Sequence, residues 1–147
     1  MIRQATFEDL PKMAATAREF YAASPTLADL QDQKFCETWQ RLIETGIGVA
    51  FIEYVGDFIA GGIGAIVTSD PYGKTTIASE AFWFVSESSR GTLGMRLYRA
   101  FETWAKTQGV DSIQMIHLMD ATGEKVRNLY LRMGYEPVEV RYQKRLN

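Results

Sequence analysis

The stretch from Phe82 to Thr107, FWFVSESSRGTLGMRLYRAFETWAKT, constrains this chain more than any other. It opens on an aromatic, apolar run suited to a strand. A polar loop follows, with glycines at Gly91 and Gly94. Leu93, Leu97, Ala100, Phe101, Trp104 and Ala105 then recur on one face at helical spacing. A strand that turns through glycine into a helix gathers unpaired backbone N–H groups and the positive end of the helix dipole at one point. Such a point suits an anion, so a phosphate-bearing ligand is the first function to consider. Packing alone produces the same pattern elsewhere, and the rest of the chain has to decide.

The elements before that stretch read in order. Ile2 to Ala5 is a short strand, and Thr6 with Asp9 forms a variant capping box. Leu10, Met13, Ala14, Ala17, Phe20 and Tyr21 predict a helix that ends near Ser24-Pro25. A second helix is predicted over Ala28 to Glu44, with Phe35, Trp39, Leu42 and Ile43 as its buried stripe. Cys36 beside that stripe reads as a small buried hydrophobe rather than a nucleophile, because no histidine or motif accompanies it. Gly48 to Val55 and Phe58 to Thr68 predict a hairpin through Gly56-Asp57. Gly61, Gly62 and Gly64 inside a strand mark a bulge or a close approach by another segment. Ser69 to Gly73 is a turn, and Thr75 to Val85 is the next strand.

After the organising helix, Gly109 is a stop and Ser112 to Met119 reads as an apolar strand. Thr122 to Met133 is a short helix closed by Gly134. Pro137 to Leu146 reads as a last edge strand with alternating charge. This order predicts a mixed α/β domain of the α+β type, with six or seven strands and about four helices.

At 147 residues the chain suits one domain over 1–147 with a real core. A net charge of −2 argues against nucleic acid as a partner, since such domains carry a basic face. No apolar run reaches membrane-spanning length, so a membrane is not expected either. One cysteine and one histidine make a zinc site of the usual kind unexpected, and no metal is predicted. A lone thiol suits a reducing, cytoplasmic setting.

Three pieces of the chain together resemble the GNAT (Gcn5-related N-acetyltransferase) family, in particular its short phage and bacterial members. Val85, then Arg90-Gly91, then Gly94 is similar to the family's pyrophosphate loop, Q/R-x-x-G-x-G/A, here one residue shorter than the common form. Asn128-Leu129-Tyr130 followed by Gly134-Tyr135 is similar to its second signature. Ile2 to Thr6 is similar to its opening strand and cap.

The resemblance implies a mostly antiparallel sheet with one splayed strand pair. It also implies an acetyl-CoA-dependent N-acetyltransferase acting on a primary amine. Arg90, Gly91, Thr92, Leu93, Gly94 and Met95 would surround the pyrophosphate. Trp83, Phe84 and Val85 would pair with the pantetheine arm as an added strand. Asn128 and Tyr130 would also meet the cofactor. Glu80 would serve as base and Tyr130 as the acid that protonates the departing thiolate. His117 would either pack or line the acceptor pocket. The first two helices, their connection around Ser24 to Asp32 and the hairpin tips would set the acceptor, a small-molecule or protein amine; Asp29, Asp32 and Glu37 there would suit a cationic amine, but each reads first as part of a solvated helix face. A homodimer is compatible with the resemblance. The shortened loop leaves a second reading open, a noncatalytic acyl-CoA-binding or protein-interaction module of the same fold. A nucleotide switch is disfavoured, because the chain lacks G-x-x-x-x-G-K-[ST].

Overall fold

The computed structural model describes residues 1–23, 29–119 and 123–146. They form two compact units, Met1–Ile116 and His117–Asn147.

In the first unit a five-stranded sheet runs in sequence order: β1 (Arg3–Gln4), β2 (Gly48–Val55), β3 (Phe58–Ser69), β4 (Thr76–Val85) and β5 (Ser112–Gln114). The first three pairings are antiparallel and β4–β5 is parallel. The helices are α1 (Leu10–Ala23), α2 (Asp32–Glu44) and α3 (Leu93–Thr107). Because side chains alternate along a strand, neighbouring residues serve opposite faces. Ile52, Ile59, Phe82 and Phe84 pack with Leu10, Met13 and Ala17 of α1 and Trp39 of α2. Phe51, one residue from Ile52, instead meets Trp104 of α3. The sheet is thus covered by α1 and α2 on one face and by α3 on the other.

The predicted apolar stripes are the observed ones, with Tyr98 added on α3. Thr6 and Asp9 act as predicted: the Asp9 carboxylate accepts the Thr6 N–H at 2.7 Å, ahead of α1. Cys36 is half-buried against the core. Burial, with Asp32 and Glu37 nearby, pushes its thiol up, which suits packing and not nucleophilic attack.

Both readings of the β3 glycines hold. A Cβ on Gly64 would fall 2.5 Å from the Phe82 ring and 2.7 Å from Trp39, so glycine makes room for that aromatic cluster. A Cβ on Gly61 would fall 3.1 Å from Leu97 and 3.3 Å from Leu93, so glycine lets the start of α3 lie close on the sheet. The ladder between β3 and β4 also shifts register at Gly64/Ala65.

Four expectations are corrected. The sheet has five strands among the described residues, not six or seven. The strand predicted to reach Met119 stops at Gln114, and Pro137 to Leu146 forms no strand among the described residues. Val138, Val140, Tyr142 and Leu146 alternate as a strand does, yet all are exposed. Alternation sets which way side chains point; a strand also needs an adjacent backbone to take its hydrogen bonds. The second helix begins at Asp32, and the predicted end of α1 at Ser24-Pro25 lies outside the described residues, as do Ala28 and Thr122.

In the second unit α4 spans Gly123–Arg132. It ends on Gly134, whose φ of +90° is one that glycine adopts without cost.

Candidate active site

β4 pairs with β3 along its length, but with β5 only at Ile77, Ala78 and Ser79, opposite Ser112, Ile113 and Gln114. The two parallel strands part there. The register shift falls at the same place. Gly64 faces Phe82 while Ala65 faces Glu80, so Ala81 is an extra residue in β4. The bulge turns Glu80 onto the face of Trp83, which is the α3 face. Glu80 Oε2 then accepts the N–H of Ile116 at 2.9 Å. A carboxylate therefore stands at the fork where β5 leaves the ladder.

At the other end of β4 the chain enters the glycine loop. The buried Ser86 donates its N–H to the Ala60 carbonyl at 2.8 Å. Glu87 donates its N–H to the Glu19 carboxylate of α1 at 3.1 Å. After a 3₁₀ turn over Glu87–Ser89, Gly91 takes a φ of +139°, open to glycine and strained for other residues. Thr92 caps α3 by its backbone, and its hydroxyl makes no capping bond. The Arg96 N–H closes the first turn onto the Thr92 carbonyl at 3.0 Å. The N–H groups of Leu93, Gly94 and Met95 therefore precede the first intrahelical bond and point out of the helix start.

The space beside these donors is open. A Cβ on Gly91 would meet nothing within 4 Å, and one on Gly94 nothing nearer than 3.6 Å. Arg90 and Thr92 are exposed on the rim. Donors, dipole and open room suit a phosphate or pyrophosphate. The Trp83 indole N–H donates to the Gly94 carbonyl at 3.2 Å, joining β4 to this helix start.

Not every predicted contact is a side-chain contact. Phe84 is 2 % exposed and packs against Phe20 and Phe82, so only its backbone can meet a ligand. Leu93 is buried on the sheet and offers its N–H.

In the second unit Asn128 is exposed on α4 and Tyr130 is 7 % exposed. The Tyr130 ring lies 5.5 Å from that of Tyr135, whose N–H donates to the Tyr130 carbonyl at 3.0 Å. His117 lies off any strand. Its Nε2 comes within 2.8 Å of where a Gly123 Cβ would stand, so it packs on the start of α4.

Sequence reasoning missed three features of the candidate site. The bulge at Ala81 has no residue signature of its own. Glu19 and Glu53 are single acids on a helix and a strand, with nothing in the sequence to pair them with the loop or with Arg96. A basic residue in the first turn of α3, against the dipole, was the one available hint.

A parted strand pair beside a glycine-opened helix start is the arrangement expected of a CoA-dependent acyltransferase. The chain belongs to the acetyltransferase (GNAT) family, whose sequence profile matches residues 12–135. It is an acetyltransferase, and acetyl-CoA is its cosubstrate. No curated protein sequence matches the chain. Solved structures share its fold at low identity. An aminoglycoside acetyltransferase, meta-AAC0020, from an uncultured soil metagenomic sample is 19 % identical with a TM-score of 0.75, covering 100 % of this chain and 96 % of that one. A ribosomal-protein-alanine N-acetyltransferase from Brucella melitensis biovar Abortus 2308 is 14 % identical with a TM-score of 0.77, covering 100 % and 99 %. AAC(6')-Iy, bound to the bisubstrate analog CoA-S-monomethyl-acetylneamine, is 16 % identical with a TM-score of 0.76, covering 99 % and 97 %. Among the described residues, no helix is long and apolar enough to cross a membrane.

Proposed function

We propose that this chain acetylates a primary amine by direct attack within a ternary complex with acetyl-CoA. The observation that carries this is Glu80 at the fork of β4 and β5, on the α3 face of the sheet. The family profile runs from residue 12 to 135, which supports one acetyltransferase domain over 1–147.

The N–H groups of Leu93, Gly94 and Met95 bind the pyrophosphate, with Arg90 adding a charge-assisted contact and Gly91 and Thr92 completing the rim. The β4 backbone from Trp83 through Phe84 to Val85 pairs with the pantetheine arm. The cosubstrate supplies an acetyl thioester. Glu80 takes the proton that the ammonium must lose, directly or through a water. As the N–C bond forms and the C–S bond breaks, Tyr130 gives its phenolic proton to the departing sulfur. A phenol, with an ordinary pKa of about 10, holds that proton at neutral pH. Asn128 assists on α4, as its place in the signature suggests. Fixing both reactants supplies much of the rate. A homodimer and a cytoplasmic site of action complete the reading, the latter suited to the free Cys36.

The acceptor is a primary amine, on a small molecule or on a protein. Similar folds act on aminoglycosides and on a ribosomal-protein alanine, and both supply a first panel. The test is calorimetric titration with acetyl-CoA, with ATP as control, followed by thiol release from acetyl-CoA with aminoglycosides and an alanine-started peptide. Binding of acetyl-CoA with amine-dependent thiol release is expected. Binding without release from any amine would favour the noncatalytic module.

A further inference from the structure

Arg96 sits in the first turn of α3 and its own N–H closes that turn onto Thr92. A cation there opposes the helix dipole. Its guanidinium is turned to the sheet, where it meets Glu53 of β2 in a fork: Nη1 to Oε1 at 3.0 Å and Nη2 to Oε2 at 2.6 Å. Glu53 is 8 % exposed and Arg96 holds its carboxyl below the usual carboxylate range. A bidentate pair fixes direction as well as distance.

Glu53 stands opposite Gly61 in the ladder, at the residue where the β2–β3 register shifts. A Cβ on Gly61 would meet Leu97 at 3.1 Å and Leu93 at 3.3 Å, so the first turn of α3 lies close on the sheet there. One cross-strand pair thus meets the first turn of α3 twice. Gly61 sets how deep the helix lies, and Glu53, through Arg96, sets how it is rotated about its axis. Because helix N–H groups run nearly along the axis, rotation decides where around the helix rim the donors of Leu93, Gly94 and Met95 stand.

We propose that Glu53 and Arg96 are positioning residues for the pyrophosphate site, orienting the helix-start donors without touching the cosubstrate. The proposal rests on the reading of that helix start as the phosphate site. It adds a determinant of CoA affinity on a strand two removed from the cleft between β4 and β5.

The test is CoA binding by calorimetry, with hydrogen exchange of the ligand-free protein, in wild type, Glu53→Gln and Arg96→Gln. Both variants are expected to bind CoA about tenfold more weakly, the cost of misaligned contacts. The amides of Leu93 to Met95 should exchange faster, while those of β2 and β3 stay as protected as in wild type. A direct phosphate contact by Arg96 predicts the opposite for Glu53→Gln, because freeing the guanidinium would leave CoA affinity equal or tighter; that result overturns the proposal. So does wild-type affinity in Arg96→Gln. Should Glu53→Gln or Arg96→Gln fail to fold, Arg96→Lys decides, since it keeps the charge and loses the fork; wild-type affinity there overturns the proposal too. If the wild type binds no CoA, the phosphate reading fails, and the exchange of Leu93 to Met95 still tests the positioning.

Discussion

The Trp83 indole N–H, on the last turn of the pleat before the loop, donates to the Gly94 carbonyl 3.2 Å away in the first turn of α3. One hydrogen bond ties the strand that would pair with the pantetheine arm to the helix that would hold the phosphates. The spacing of these two halves of the proposed cosubstrate site is therefore held by the protein itself.

Gly94 is where ligand room and protein room separate. A Cβ there stands at ordinary contact distance from Val85 and Trp83, at 3.6 and 3.8 Å. Gly94→Ala should fold normally, with a helix-propensity gain of up to about 1 kcal/mol. Gly94→Val, which adds bulk against Val85 and Trp83 next to the helix-start donors, should weaken CoA binding by about tenfold or more. Thermal melting and calorimetry on both variants check this; equal CoA affinity in Gly94→Val would place the pyrophosphate elsewhere.

Glu80→Gln should lower kcat by about a hundredfold and leave CoA affinity unchanged. The amide oxygen of glutamine can still accept the Ile116 N–H, so the fork between β4 and β5 should persist. Turnover against pH, with the acetylated amine identified first, is the measurement. Wild-type kcat in the variant would remove Glu80 as the base.

Tyr130→Phe should also lower kcat, by about ten- to a hundredfold, with little change in acetyl-CoA affinity. The ring contact with Tyr135 survives the substitution, because only the hydroxyl is lost. Single-turnover kinetics resolve the chemical step. An unchanged chemical rate would assign Tyr130 to packing alone.

Asp9 should carry stability that depends on pH. It is 3 % exposed and accepts from both Arg3 nitrogens at 2.8 Å, from the Thr6 N–H and from the Tyr54 hydroxyl at 2.8 Å. Arg3, followed by smaller contributions from Thr6 and Tyr54, holds its carboxyl far below the usual carboxylate range. A depressed folded-state pKa gives stability that is full above the unfolded value of about 3.9 and lost as pH falls below it. Asp9→Asn should therefore cost about 2 kcal/mol at pH 7, a figure kept low because Arg3 is half exposed. The gap to wild type should shrink in urea melts taken at progressively lower pH below about 4. A gap that stays constant down to pH 2 would mean that charge is not what Asp9 contributes.

Much of the site was legible in the residues. Arg90-Gly91 and Gly94 ahead of a helical stripe marked the glycine-opened helix start, and Thr6 with Asp9 marked the start of the first helix, because both are local: a few consecutive residues contain the donors, the turn and the period. The glycines of β3 announced close packing but not with what. Gly61 and Gly64 serve opposite faces, one under α3 and one under the Trp39–Phe82 pair, and that assignment follows from which face each residue takes in the ladder.

The last segment shows the limit most plainly. Val138, Val140 and Tyr142 carry the alternation of a strand, yet among the described residues they form none. The sequence by itself determined the helix stripes, the hairpin turn, the glycine-opened helix start and the family signatures, since each depends on spacing along the chain. Only the tertiary structure decided the strand count, the bulge at Ala81 that brings Glu80 to the fork, and the Glu53–Arg96 pair beneath the helix start. Those depend on which backbone lies beside which, and partners 43 residues apart, as Glu53 and Arg96 are, leave no mark in local periodicity.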